Sequence, residues 1–154
     1  MRRLAFLILL LPGHAWAGPG NIAFLEQYGL HHAGNSSDHA PIHNGLLSYA
    51  KRFLGMGNVT GFRGPWCGAF VGKIARHEGL HVPRGYLQAR QWAHAGKRTG
   101  AHVGAVMVMR HHVGIVAAVH GRTVTLLGGN QGHRVSLERR RISSALAFVQ
   151  LARN

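Results

Sequence analysis

The chain has 154 residues, 18 Lys or Arg against only 4 Asp or Glu, and a formal net charge of +14 with neutral histidines. One cysteine excludes a disulfide framework, and 22 glycines argue against a plain helical bundle. The excess charge draws the chain towards polyanions, either anionic lipid headgroups or acidic polymers. No nucleic-acid motif accompanies it, and nucleic acid is not expected as a partner.

In chain order, Arg2 and Arg3 precede an apolar run from Leu4 to Leu11, and Ala15-Trp16-Ala17 supplies small residues where a signal peptidase cuts. Residues 1–17 are therefore expected to be a signal peptide, and 18–154 a single exported domain, periplasmic or extracellular. The run falls well short of the roughly 20 residues that span a bilayer. Without Arg2 and Arg3 the charge of +14 becomes +12. Asn21 to Tyr28 predicts a short helix, and His31 to His39 a polar loop. Pro41 to Leu54 places Ile42, Leu46, Tyr49, Ala50, Phe53 and Leu54 on one helical stripe. Gly55 to Pro65 reads as a glycine-rich loop leading to Trp66 and Cys67.

From Cys67 the pattern predicts another helix, with Phe70, Val71, Ile74 and Ala75 inward and Gly79 as a left-handed cap. Gly85 to Ala95 predicts a further short helix. After Gly100 the residues become β-prone: Val103–Met109, His112–Val119, Arg122–Leu127, His133–Leu137 and Leu146–Leu151. His120-Gly121 and Gly128-Gly129-Asn130-Gln131-Gly132 punctuate them. Short connections imply antiparallel pairing, so the expected class is α+β with about five strands.

Cys67 concentrates the chemical interest. A cysteine attacks a carbonyl as its thiolate, and a helix N-terminus favours that anion through its unpaired N–H groups and dipole. The same N–H groups can receive an oxyanion. A base must come from elsewhere and be oriented by a third group. Among 13 histidines, His112 opens a strand, and alternation puts Gly114 on its face, leaving room beside the ring. Asn130 ends the next predicted strand, within reach of the far ring nitrogen. His111 competes with His112 if the strand begins one residue earlier.

Three strings, Pro-Trp-Cys-Gly-Ala-Phe-Val (65–71), His-Val-Gly-Ile-Val (112–116) and Leu-Gly-Gly-Asn-Gln (127–131), resemble the motif blocks of papain-like bacterial wall hydrolases of the CHAP and NlpC types. Leu-Gln-Ala-Arg-Gln-Trp (87–92) is similar to the linking helix of one subgroup. The resemblance runs from about Gly34 to Val149. It implies a papain-like fold in which the cysteine helix packs on the antiparallel sheet. It further implies a Cys67 nucleophile, a His112 base and an orienting Asn130, acting without metal or cofactor on amide bonds of peptidoglycan stems or cross-links; a monomer is expected, separately from the resemblance. Trp66 and Gln131 are candidate substrate contacts, though a tryptophan beside a helix start equally serves packing. The first strand departs from the family pattern, with Gly104-Ala105 in place of Gly-Asp, and Trp66 replaces the Asp that many NlpC-type members carry.

Three other readings remain open on sequence: a non-catalytic wall-binding protein of the same fold, acyl transfer or hydrolysis of other amides, and a metal site built from His31, His32, His39 and His43. The metal reading lacks an ordered ligand frame, with Asp38 the one nearby carboxylate.

Overall fold

A computed structural model describes residues 42–154, with side chains from residue 45 onward. The described residues lie within one compact unit. The expected signal peptide, the helix at 21–28, the loop at 31–39 and, of the histidine cluster, His31, His32 and His39 fall outside them, while the backbone of His43 lies in the first described helix. No helix among the described residues is long and apolar enough to cross a membrane.

The architecture is α+β. Helix α1 spans Ile42–Lys51 and α2 spans Cys67–His77, followed by a 3-10 helix at Ala89–His94. Strands β1 (Gly96–Thr99), β2 (Val106–Val108), β3 (Val113–His120), β4 (Thr123–Gln131), β5 (Arg134–Arg141) and β6 (Ala147–Leu151) complete it, with a 3-10 turn at Ile142–Ser144 before β6. They form one six-stranded antiparallel sheet in the order β1-β6-β2-β3-β4-β5.

Helix α2 forms where the apolar residues recur at helical spacing: Phe70, Val71, Ile74 and Ala75 are fully buried. It packs on β3 and β4. Its end is a Schellman turn. Gly79 adopts φ +67°, Leu80 N–H donates to the Ala75 carbonyl (2.9 Å), and Gly79 N–H donates to the Arg76 carbonyl (3.2 Å). At the other end, a side chain on Gly68 would collide with the Tyr86 carbonyl oxygen. The segment carrying Tyr86 and Leu87 can cross the helix start only because that position is glycine.

Register sorts the sheet residues. Val106, Ile115 and Val149 share a row, as do Met107, Gly114 and Phe148 one residue along. The second row belongs to a core of Ala105, Met107, Met109, Val116, Val124, Leu126 and Phe148, against which Ala101, Ile142 and Ala145 pack. Val113 through Ala117 are all buried, so the middle of the sheet is covered on both faces.

Two expectations needed correction. The segment expected as a helix at 85–95 is a 3-10 helix of six residues. The sheet also has a sixth strand, β1, whose Gly-Lys-Arg-Thr sequence is polar because it is an edge strand largely open to solvent.

Candidate active site

Cys67 is the first residue of α2, it is the only cysteine of the chain, and its thiol is free and buried. No side chain caps the helix start; the first internal hydrogen bond runs from Phe70 N–H to the Trp66 carbonyl (2.8 Å). The N–H groups of Cys67, Gly68 and Ala69 therefore have no partner within the helix. Cys67 lines a cleft of about 480 Å³ with Phe62, Pro65, Leu87, Arg90, Arg110 and His111, among others, a size that suits a peptide-like ligand. The loop before the helix is tied to itself. Asn58 Nδ2 donates to the Phe62 carbonyl (2.7 Å), and its Oδ1 accepts from Thr60 N–H (2.9 Å), which leaves the Phe62 ring exposed at the rim.

His112 sits one residue before β3 and is largely buried. Its Nε2 is 3.0 Å from Gln131 Oε1. The amide of Gln131 has a fixed sense, because its Nε2 donates to the Ser136 carbonyl (2.6 Å), which can only accept. Gln131 Oε1 must then face the imidazole, and His112 Nε2 must carry the proton. The tautomer so selected leaves Nδ1 with a free lone pair, as a base requires. Burial holds the His112 pKa below the ordinary imidazole value. The positive charge of Arg140 acts in the same direction, while the Gln131 hydrogen bond and Glu138 partly oppose it.

Here the structure departs from the sequence reading. The hydrogen bond expected of Asn130 is made by Gln131, and the Asn130 side chain makes none with a described residue. The reason lies in the strand. Pairing between β4 and β5 slips between Gly128 and Gln131, and Asn130 takes φ +61°. Such a bulge re-aims the residue after it. On a regular strand Gln131 would share the face of Gly129; the bulge brings it to the Gly128 side. Asn is among the few non-glycine residues that tolerate a left-handed backbone, and a Gly-Gly-Asn run ahead of Gln131 was the available signal.

The same two glycines locate the helix and the histidine. A Cβ on Gly128 would lie 2.9 Å from both His112 Nε2 and Gln131 Oε1. A Cβ on Gly129 would lie 2.5 Å from Phe70 Cβ and from the Trp66 ring. Helix α2 thus packs over Gly129 and the His112–Gln131 pair over Gly128, neighbouring residues of β4 that face opposite sides of the strand. No hydrogen bond joins the Cys67 thiol to either His111 or His112. His111, one residue earlier, is exposed on the rim of the Cys67 cleft.

Trp66 and Gln131 were candidate substrate contacts. Both are about 4% exposed. Trp66 packs edge-on against Phe70, with ring centroids 6.4 Å apart, and Gln131 uses its amide on Ser136 and His112. Each supports the site from behind. Among the described residues no group of three or more His, Cys, Asp or Glu could hold a metal ion.

No family model and no curated protein sequence matches the chain.

Proposed function

We propose that the chain is an exported, papain-like cysteine hydrolase that cleaves amide bonds in peptidoglycan through an acyl-enzyme on Cys67. The observation that carries this reading is the uncapped helix start that bears the sole cysteine in a peptide-sized cleft, and His112, held in one tautomer by Gln131, is the candidate base. His112 Nδ1 accepts the thiol proton, and the thiolate attacks the amide carbonyl. Unpartnered N–H groups at the start of α2 receive the oxyanion. The imidazolium then protonates the leaving amine, and water activated by the same ring releases the acyl group. The thiol and imidazole must approach for the first step. Such bonds are often long before substrate binds and shorten in the complex. Excess positive charge favours an anionic polymer as substrate, and export would bring the protein to the wall.

A second reading, a non-catalytic wall-binding protein of the same fold, draws on the missing thiol–imidazole hydrogen bond. Alkylation separates the two. With one cysteine in the chain, iodoacetamide should add a single carbamidomethyl group, and release of peptidoglycan fragments should stop as that mass appears. Full alkylation with undiminished fragment release would refute the thiol mechanism.

A further inference from the structure

The Cys67 cleft shares two walls with a neighbouring chamber. Phe62 and Leu87 also line this second chamber of about 560 Å³, whose other walls include Ala69, Lys73, Arg76 and Tyr86. Ala69, Lys73 and Arg76 follow at spacings of four and three, so they form one stripe of α2. At 1.5 Å rise per residue, Lys73 lies roughly 9 Å and Arg76 roughly 13 Å along the axis from Cys67. An extended peptide covers that in about three or four residues.

Arg76 is placed by a ring that lines this chamber, whereas the Lys73 ammonium rests over Phe53, which is not one of its walls. The Arg76 guanidinium sits 4.3 Å from the Tyr86 ring centroid, and the Lys73 ammonium 5.7 Å from that of Phe53. Both carboxylates among the described residues are engaged elsewhere, Glu78 with His77 and Glu138 with Arg140. Neither Lys73 nor Arg76 is neutralised by a described acid. Two cations over apolar walls suit a carboxylate borne on a short, largely apolar peptide.

We propose that this chamber is a carboxylate-binding subsite, which holds a free carboxylate of the bound peptide about three or four residues from the amide presented to Cys67. It rests on the hydrolase reading for the direction of the peptide. A phosphate would meet the same two cations, and the peptide-scale distance from the thiol favours the carboxylate.

The test uses the full chain with Cys67→Ala, so that nothing is cleaved, titrated calorimetrically with synthetic stem tetrapeptides ending in a carboxylate or a carboxamide. The acid should bind about tenfold tighter, and the gap should shrink in high salt. Adding Lys73→Gln and Arg76→Gln should abolish the discrimination. Adding Arg98→Gln, which removes an exposed charge on β1, should preserve it. Lys73→Gln alone, with its fold checked by circular dichroism, guards against structural loss from the paired change. Equal affinities, no binding of either peptide, or discrimination that survives the double change would overturn the subsite. Displacement of the acid by sub-millimolar inorganic phosphate would assign it to phosphate instead. Carboxylate-selective binding without cleavage by the unmutated chain would defeat the hydrolase reading while leaving the subsite intact.

Discussion

Replacing Gln131 with alanine separates the structure's assignment of the orienting residue from the one implied by sequence resemblance. The change deletes hydrogen bonds to His112 Nε2 (3.0 Å), the Ser136 carbonyl (2.6 Å) and the Ser136 hydroxyl (3.3 Å). At roughly 1 kcal/mol each, with an added cost for leaving the Ser136 carbonyl unsatisfied, the loss of stability is about 2–4 kcal/mol. For a domain of this size that lowers Tm by about 10 °C. The effect on activity has a separate cause. Without Gln131 the ring loses its tautomer and orientation, and a general base as a whole contributes 10²–10⁴-fold. A loss of kcat of about tenfold to a hundredfold is expected, measured on purified peptidoglycan well below the new Tm. Asn130→Gly is the matched comparison. It removes a side chain with no described hydrogen bond and relieves the left-handed backbone at φ +61°, so kcat should change less than threefold. If Asn130→Gly cost more activity than Gln131→Ala, the assignment of Gln131 would be wrong.

Gly129→Ala would drive a methyl group into Phe70 Cβ and the Trp66 ring, both rigidly packed. It should destabilise by about 1–3 kcal/mol, read from urea midpoints; a neutral outcome would mean that α2 does not pack there. The pH dependence of stability follows from His112. Its folded pKa lies below the unfolded value of about 6.5, so the unfolded chain binds the extra proton between the two. The histidine's contribution is complete above pH 6.5 and is lost as pH falls from there through the folded pKa. Urea midpoints between pH 8 and 5 should fall less steeply for His112→Gln than for the unmutated chain. Equal slopes would show that His112 is not held neutral.

Helical stripes and β-prone runs revealed α1, α2 and five of the six strands, because burial imposes its period on the residues that do it. Strand β1 escaped notice for the same reason: as a polar edge strand it buries too little to leave a period. Cys67 was legible as a helix start, since the glycine-rich loop before it and the stripe after it fix the boundary. The orienting role was not. A bulge changes which face a residue meets, and alternation counted through Gly128-Gly129-Asn130-Gln131 gives the wrong face for Gln131. The chamber was invisible too, because it is assembled from α2 and from the separate segments carrying Phe62 and Tyr86, and no single stretch of sequence holds it. Arg139, Arg140 and Arg141 lie on the edge strand β5, where charged side chains discourage pairing with another sheet.

Cys67 as the nucleophile of amide hydrolysis is tested most directly by incubating purified peptidoglycan with the unmutated chain and with Cys67→Ala, and reading the released fragments by mass spectrometry. The unmutated chain should release new fragments whose masses name the bond, and Cys67→Ala should release none while still binding the polymer. Equal fragment release by both, or none by either, would contradict the assignment.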